Sequence, residues 1–292
     1  MERIVVIGLG QMGGAIAGRL HAQGCDVVGF DALAAARDGF VSRGGISAAT
    51  LAQAVEGAQV VITCLPNSAI VRAVWLGPDS LQSVVKAGTL LIDMSSIDPD
   101  TMRTVGKALA ENGAEIVDCP VSGSPQEATI GKLILIAGGS KAAVDRARPT
   151  LAHLGETLRY AGDIGAAKVV KIANNMMSMA NVLAASEAFA LGKRAGVDPA
   201  ILFDILSVSG GRSAQFLKRF PWALQGDYSS RFKMELGEKD LSLGVELGRS
   251  VGLPTPVASL TREMAAMAMA QGQRGQDIVA LLAMYDGWDP SM

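Results

Sequence analysis

The amino-acid sequence predicts an α/β domain with a doubly wound, mostly parallel sheet, joined by a long helix to an all-helical domain. Short apolar runs alternate with helical patterns up to about residue 163, and only helical patterns follow in the rest of the 292 residues. Continuous apolar strands that alternate with helices are typical of a parallel sheet covered on both faces. We therefore expect domains at residues 1–163 and 164–292.

Six apolar segments are predicted as strands: RIVVIG, CDVVGF, AQVVITCLP, GTLLIDMSS, AEIVDCPVSG and LILIAGG. The segment QMGGAIAGRLHAQG and residues 67–76, 99–112 and 140–151 are predicted as helices between them. Right-handed crossovers would make this sheet doubly wound. The later helices are predicted at residues 165–194, 199–207, 213–225, 232–251, 257–271 and 276–284.

The composition is that of a folded chain, with 49% hydrophobic and 18% charged residues. A net charge of −2 provides no basic field for nucleic acid. No apolar run is long enough for a membrane span, and the first residues lack a signal-peptide pattern. Cys25, Cys64 and Cys119 form no close pair, which is typical of free thiols in a reducing compartment. We expect a cytoplasmic protein without nucleic-acid or membrane partners.

The first strand is followed by GLGQMG, a G-x-G-x-x-G pattern that opens a helix. Its glycines allow a tight turn, close approach of a pyrophosphate and close packing of helix on strand. The helix N-terminus then offers N–H groups to phosphates. A Rossmann-type dinucleotide site is favoured over a glycine-rich turn without a ligand. The cofactor contacts predicted in this loop are Gly8, Leu9, Gly10, Gln11, Met12 and Gly13.

Asp31 ends the second strand, where an acid accepts hydrogen bonds from the adenosine ribose and repels a 2′-phosphate. The residues after it are ALAAA, and Arg37 is a helical turn or more away. We therefore expect NAD as the cofactor, with NADP as the alternative. Capping of the next helix is the other role open to Asp31.

Polar residues also follow two later strands. CLPN places Leu65 and Pro66 after a buried strand, and DMSSIDP places Ser95 and Ser96 after the next. Ligands bind at such strand ends in α/β folds, so Leu65, Pro66 and Ser96 are predicted cofactor contacts. For Ser96, a plain helix cap is an equally good reading.

The stretch DCPVSGSP places Ser122 and Gly123 in a turn after a strand. A serine hydroxyl and consecutive backbone N–H groups can bind a small anion such as a carboxylate. We predict substrate binding by Ser122 and Gly123, with a turn that binds nothing as the alternative.

The long helix carries Lys168, Lys171, Asn174 and Asn175 in its first turns. Burial of a lysine is unfavourable unless an anion pairs with it or the chemistry uses it. We therefore expect at least one of the two lysines to pair with an anion or to take part in the chemistry.

The motifs GLGQMG, CLPN, DMSSIDP, DCPVSG, KIANN and FKMELGEKDL resemble, in order and spacing, those of the β-hydroxyacid dehydrogenase family. Its members include 3-hydroxyisobutyrate dehydrogenases and tartronate semialdehyde reductases. The resemblance implies an NAD(P)-dependent oxidoreductase that interconverts a small 3-hydroxy acid and its semialdehyde in a cleft between the two domains. It also implies a homodimer or homotetramer.

By this resemblance Lys171 is the catalytic general acid/base, Asn175 orients it one turn further along the helix, and Asn174 contacts the substrate. A lysine at the edge of the helix with its amine in solvent is the alternative for Lys171. Lys168 stands where the family has an uncharged residue, so we expect it to be exposed and not catalytic. The resemblance further implies that Lys239 contacts the cofactor, that Phe232 packs nearby and that Asp240 is structural.

Three positions depart from the family pattern: Ser124, Glu127 and Ala167 stand where glycines are common. These residues border the expected substrate site, so the identity of the substrate does not follow from the resemblance. The alternative functions are a sulfolactaldehyde reductase, an imine reductase and a non-enzymatic NAD-binding regulator. Imine reductases usually lack the lysine. His21 and His153 are isolated, so neither a metal site nor a Ser-His-acid triad is predicted.

Overall fold

The computed structural model describes residues 2–287. The chain divides into two compact units between Lys171 and Ile172. The first is α/β and the second is helical, so the predicted fold class is confirmed. The predicted domain boundary after residue 163 stays a prediction. The structural division falls within the long helix because the first turn of that helix packs into the α/β unit.

The strands of the described region form one nine-stranded sheet. They are β1 (Arg3–Ile7), β2 (Asp26–Phe30), β3 (Ile46–Ser47), β4 (Val60–Thr63), β5 (Leu90–Asp93), β6 (Glu115–Asp118), β7 (Val121–Ser122), β8 (Ile134–Gly139) and β9 (Thr157–Gly162). The sheet order is β3-β2-β1-β4-β5-β6-β8-β7, with β9 beside β8. β8 runs antiparallel to β6 and β7, and the other pairs are parallel.

The structure contains three strands beyond the predicted six. The segment AEIVDCPVSG forms both β6 and β7, because Pro120 between them has no N–H for a ladder. β3 has only two residues, and β9 is partly exposed and contains charged and polar residues, so neither shows a continuous apolar run.

The two faces of the sheet are covered by different helices, as alternation along β1 illustrates. Ile4 and Val6 pack in the core on one face, while Val5 and Ile7 pack in the core on the other. The helices of this unit are α1 (Gln11–Ala22), α2 (Ala34–Val41), α3 (Leu51–Val55), α4 (Ser68–Leu76), α5 (Leu81–Val84), α6 (Pro99–Glu111), α7 (Pro125–Thr129) and α8 (Lys141–Ala152).

The carboxyl ends of five parallel strands lie in register at one edge of the sheet. Ile7 pairs with Phe30 and Thr63, Thr63 pairs with Asp93, and Asp93 pairs with Asp118. The strand order reverses direction at β1 and β4, and such a switch point is where α/β sheets bind ligands. The loops that leave this edge therefore hold the candidate site of the α/β unit.

The helical unit begins within α9 and is built around an aromatic core. Phe189, Phe216 and Phe220 pack with ring centroids 4.5–6.4 Å apart. The helices are α9 (Ala166–Arg194), α10 (Pro199–Val208), α11 (Ala214–Ala223), α12 (Met234–Ser250), α13 (Pro256–Ala268) and α14 (Leu281–Asp286), with a π turn at Met269–Gln273 and a 3₁₀ turn at Ile278–Ala280. Across residues 2–287 no helix combines the length and the apolar character that a membrane span requires.

Candidate active site

The glycine loop between β1 and α1 has the local geometry of a pyrophosphate cradle. Gly8 has φ +90°, which favours glycine, and a Cβ on Gly13 would lie 1.9 Å from the Gly8 carbonyl oxygen. A Cβ on Gly10, by contrast, would meet no atom of the described chain within 4 Å. No side chain caps the start of α1, so its N–H groups suit a phosphate. These residues fit a dinucleotide.

Asp31 is fixed at the end of β2 by the glycine loop. Its Oδ2 accepts a hydrogen bond from Leu9 N at 2.7 Å, and its Oδ1 accepts one from Leu33 N at 2.9 Å. The N-cap position of α2 is Leu33, so Asp31 is not the capping residue of that helix. Its carboxylate is held beside the loop, where a ribose is expected.

Arg37 lies closer to Asp31 than the sequence suggested. Its Nη1 donates to the backbone oxygen of Asp31 at 2.6 Å and to that of Ala32 at 3.2 Å. Arg37 is a helical turn away in sequence, but the first turn of α2 brings its guanidinium back to the backbone at the end of β2.

The loops after β4 and β5 are joined by buried polar side chains. Thr63 Oγ1 and Ser95 Oγ donate to Asp93 Oδ1 at 2.6 and 2.7 Å, and Leu65 N donates to Ser95 Oγ at 2.9 Å. Leu65 is half-buried and Pro66 is exposed. Their predicted cofactor contacts stay predictions.

Ser96 does not cap α6. Asp98 does so, because its Oδ1 accepts from Thr101 N at 2.6 Å. Ser96 is half-buried and precedes the cap by two residues. The helix-cap alternative for Ser96 is thereby removed, whereas its cofactor contact stays a prediction.

Lys168 is fully buried, and the expectation that it is exposed is wrong. Its Nζ donates to Asp93 Oδ2 at 2.7 Å and to the backbone oxygens of Asp93 and Ser95, each at 2.9 Å. Both side chains of this ion pair have 0% exposure. All three N–H donors of the ammonium group thus have acceptors, which is what burial of a lysine requires.

Asp118, at the end of β6, holds the start of α9. Its Oδ2 accepts from Lys168 N at 3.2 Å, so a carboxylate lies at the positive end of the helix. Burial raises the pKa of Asp118, and the positive charge of Lys168 only partly opposes this. Burial likewise raises the pKa of the neighbouring Cys119 thiol to about 12.

The carboxylate of Glu127 lies next to the turn of Ser122 and Gly123, which is predicted to bind an anion. Glu127 Oε2 accepts from Ser124 N at 2.6 Å, and Ser124 Oγ accepts from Glu127 N at 3.3 Å, so the two residues form a capping box for α7. Gly123 has φ +146°, and a Cβ there would lie 2.7 Å from Leu133 Cδ2. Ser124 N is therefore engaged within the chain, and substrate binding by Ser122 and Gly123 stays a prediction.

In the helical unit, Asn175 and Lys239 meet at one carboxylate. Asn175 is buried, and its Nδ2 donates to Asp240 Oδ2 at 2.5 Å, while Lys239 Nζ lies 2.8 Å from Asp240 Oδ1. Asn174 Nδ2 donates to Asn175 Oδ1 at 3.1 Å. Asp240 thus contacts Asn175 and Lys239 directly and is linked to Asn174 through Asn175.

Lys171 lies on α9, one turn after Lys168, and is half-buried. Phe232, predicted to pack near Lys239, is half-buried just before α12, and its N–H donates to Asp277 Oδ2 at 2.9 Å. Among the residues that the structure describes, no group of three or more His, Cys, Asp or Glu side chains could hold a metal ion.

Asp93, Asp118 and Lys168 form a connected group that was not predicted from the sequence. One signal was present: the apolar strands LLID and EIVD both end in aspartate, and those strands are neighbours in a parallel sheet. Two buried carboxylates at neighbouring strand ends are expected to have a buried cation nearby, and that cation is Lys168.

Comparison with known proteins covers both units. Residues 3–162 match the family model described as the NAD binding domain of 6-phosphogluconate dehydrogenase. Residues 165–285 match the model described as NAD-binding of NADP-dependent 3-hydroxyisobutyrate dehydrogenase. The prediction of an NAD(P)-binding Rossmann domain is confirmed.

Relatives with established names align over nearly the full chain. A 3-hydroxyisobutyrate dehydrogenase of Pseudomonas aeruginosa is 36% identical over 99% of this chain and 100% of its own. A 3-sulfolactaldehyde reductase of Escherichia coli is 34% identical over 97% of this chain and 95% of its own. A solved structure of Mycobacterium tuberculosis 3-hydroxyisobutyrate dehydrogenase with L-serine superposes with a TM-score of 0.89 at 28% identity, covering 97% of this chain and 99% of that one.

Proposed function

The chain belongs to the β-hydroxyacid dehydrogenase family, and from that premise we propose that it interconverts a small 3-hydroxy acid and its semialdehyde. It is an NAD(P)-dependent hydroxyacid dehydrogenase. The observation that carries the proposal is the position of Lys171. Lys171 lies one turn after Lys168, whose backbone N–H donates to Asp118 at the carboxyl end of β6. The glycine loop lies at the same side of the sheet, after the carboxyl end of β1.

The proposed chemistry assigns proton transfer to Lys171. The nicotinamide ring, when bound, supplies or accepts the hydride. Lys171 Nζ takes the proton from the substrate hydroxyl during oxidation and returns it during reduction, which is general acid/base catalysis. Asn175, held by Asp240, orients the reacting groups without competing for the proton.

The cofactor is proposed to bind along the edge of the α/β unit. The loop from Gly8 to Gly13 receives the pyrophosphate, and Asp31 receives the adenosine ribose in NAD. Leu65, Pro66 and Ser96 contact the cofactor from the loops after β4 and β5, and Lys239 contacts it from α12. The fixed carboxylate of Asp31 supports this arrangement.

The substrate is proposed to be a small carboxylate that Ser122, Gly123 and Asn174 contact. The names of the relatives, a 3-hydroxyisobutyrate dehydrogenase and a structure with L-serine, support this class. The second candidate is an aldehyde with a sulfonate, because the Escherichia coli relative is named a 3-sulfolactaldehyde reductase.

Two measurements test this proposal. NAD⁺ and NADP⁺ reduction is assayed with 3-hydroxyisobutyrate, L-serine, glycerate and a hydroxysulfonate, and the highest kcat/KM is expected with a carboxylate. Lys171→Ala is expected to lower kcat by about 10²–10⁴-fold with little change in cofactor affinity. Lys141→Ala, in an exposed ion pair of α8, is the control. A Lys171→Ala variant with more than about a tenth of the wild-type kcat would refute the catalytic role.

We also propose a cytoplasmic homodimer or homotetramer assembled through the helical unit. α10 has no buried residue in the single chain, and Ile201, Ile205 and Val208 are each more than half exposed. Exposed apolar helix faces of this kind are typical of subunit interfaces. Light scattering on the purified protein gives the oligomeric state, and a monomer would contradict this proposal.

A further inference from the structure

We propose that Lys168 is a positioning residue that fixes Lys171 and the cofactor-binding loops relative to the edge of the sheet. This inference rests on the proposed function, in which Lys171 transfers the proton. Lys168 itself contacts neither reacting atom in this scheme. It acts through the groups to which it is hydrogen-bonded.

The ammonium group of Lys168 makes three hydrogen bonds. Lys168 Nζ donates to the Asp93 carboxylate, to the Asp93 backbone oxygen and to the Ser95 backbone oxygen, at 2.7–2.9 Å. Two of these acceptors are backbone groups of the chain that leaves β5. The position of that loop is therefore set by the lysine and not only by the strand ladder.

The ion pair is also connected from β5 to β4 by hydrogen bonds. Asp93 Oδ1 accepts from Thr63 and Ser95, and Ser95 Oγ in turn accepts from Leu65 N. Leu65 and Ser96 are two of the three proposed cofactor contacts of these loops. One buried ion pair thus organises both loops, while its own members remain out of reach of the cofactor.

The same group of residues fixes the start of α9. Lys168 is joined to the sheet at two points, its side chain to Asp93 and its backbone N–H to Asp118. Lys171 lies three residues later, about 4.5 Å further along the helix axis and on an adjacent face. A shift or rotation of the helix start would therefore displace the Lys171 amine directly.

A purely stabilising role is the alternative. Removal of one partner from a buried ion pair destabilises a protein strongly, whereas neutral replacement of both is often tolerated. The double variant Lys168→Met with Asp93→Asn separates the two roles. It removes both charges and the contacts of Nζ, while the amide oxygen of the new side chain at position 93 can still accept from Thr63 and Ser95.

The experiment compares the thermal midpoint, kcat and the pH dependence of kcat/KM in wild type, the double variant and the control Lys141→Met. We expect the double variant to remain folded and its kcat to fall by at least tenfold. In its pH profile of kcat/KM, the limb that reports the ionisation of Lys171 should shift along the pH axis. A folded double variant with unchanged kcat overturns the proposal. So does a loss of kcat with an unmoved limb, because Lys171 would then be in its original environment.

A second variant keeps the test decisive if the double variant does not fold. Ser95→Ala removes only one hydroxyl, and with it the acceptor of Leu65 N. We expect the Kd for NADH, measured by fluorescence titration, to rise at least threefold. An unchanged Kd overturns the part of the proposal in which the Ser95 hydroxyl couples the Lys168–Asp93 pair to the loop after β4. This binding readout does not depend on Lys171, so failure of the proposed proton transfer is recognised separately, by an active Lys171→Ala variant.

Discussion

Asn175 donates a hydrogen bond of 2.5 Å from its side-chain Nδ2 to Asp240 Oδ2, and both residues are buried in the helical unit. The same carboxylate lies 2.8 Å from Lys239 Nζ. The sequence indicated a structural role for Asp240, and the geometry makes that role specific. Asp240 fixes the amide orientation of Asn175, which leaves the Asn175 oxygen to accept from Asn174.

Asp240→Ala is expected to lower the free energy of unfolding by about 1–3 kcal/mol, because the buried Nδ2 of Asn175 loses its acceptor. It should also lower kcat/KM, since Asn175 and Lys239 lose their common anchor. Urea denaturation and steady-state kinetics measure the two effects. The control is Asp145→Ala in an exposed ion pair, with an expected change within about 0.5 kcal/mol. Equal destabilisation by both variants would show that the Asn175–Asp240 bond contributes nothing.

Gly10 and Gly13 provide a matched pair of substitutions within one loop. A methyl group on Gly13 would meet the Gly8 carbonyl, so Gly13→Ala is expected to destabilise the protein by about 1–3 kcal/mol or more. Gly10 has φ −61° and open space around its Cβ position, so Gly10→Ala should fold normally. Its methyl group should still obstruct the pyrophosphate and weaken NADH binding. Thermal melting and NADH titration distinguish the two effects, and tight NADH binding by Gly10→Ala would place the pyrophosphate elsewhere.

The sequence predicted the features that depend on local pattern and missed those that depend on which strands become neighbours. Apolar runs located β1, β2, β4 and β5, and the spacing of glycines located the loop before α1. The burial of Lys168 was missed because its acceptors on Asp93 and Asp118 are 75 and 50 residues away. Arg37 was misplaced for a related reason: sequence distance does not show that a side chain folds back along its own helix.

Burial raises the pKa of Asp118, so the contribution of this residue to the free energy of unfolding should depend on pH. A carboxyl group whose folded pKa exceeds its unfolded value stabilises the fold below the unfolded pKa, which is about 3.9. That contribution is lost as the pH rises through the folded pKa. Asp118→Asn cannot ionise, so the stability of the variant relative to wild type should increase as the pH rises from about 4 to neutrality.

The measurement is the free energy of unfolding from urea titrations of both proteins at several pH values. Only the difference between the two proteins is interpreted, because other groups titrate over the same range in both. A difference that is constant or that falls with rising pH would show that the carboxylate form of Asp118 is not the less stable one. The attraction of Lys168 and the backbone hydrogen bonds would then match or outweigh the desolvation of Asp118.

We expect the carboxylate of Asp31 to favour NAD over NADP. A 2′-phosphate beside Asp31 would face a carboxylate at a few ångströms, and like charges at that range repel by about 1–4 kcal/mol at intermediate dielectric. The repulsion corresponds to roughly ten- to a thousandfold in affinity. Arg37 lies near, but its Nη1 is already bonded to the backbone oxygens of Asp31 and Ala32. Wild type is therefore expected to have the higher kcat/KM with NAD.

Asp31→Asn combined with Ala32→Arg should shift the preference toward NADP, because it removes the repulsion and adds a partner for the phosphate. Arg37→Met is the informative companion variant. If Arg37 serves only the loop, its removal should alter kcat/KM for NAD and NADP by a similar factor. If it also attracts the phosphate, kcat/KM for NADP should fall more. A wild type that prefers NADP, and loses that preference in Arg37→Met, would show that this guanidinium outweighs the Asp31 carboxylate, and the charge argument for NAD would fail.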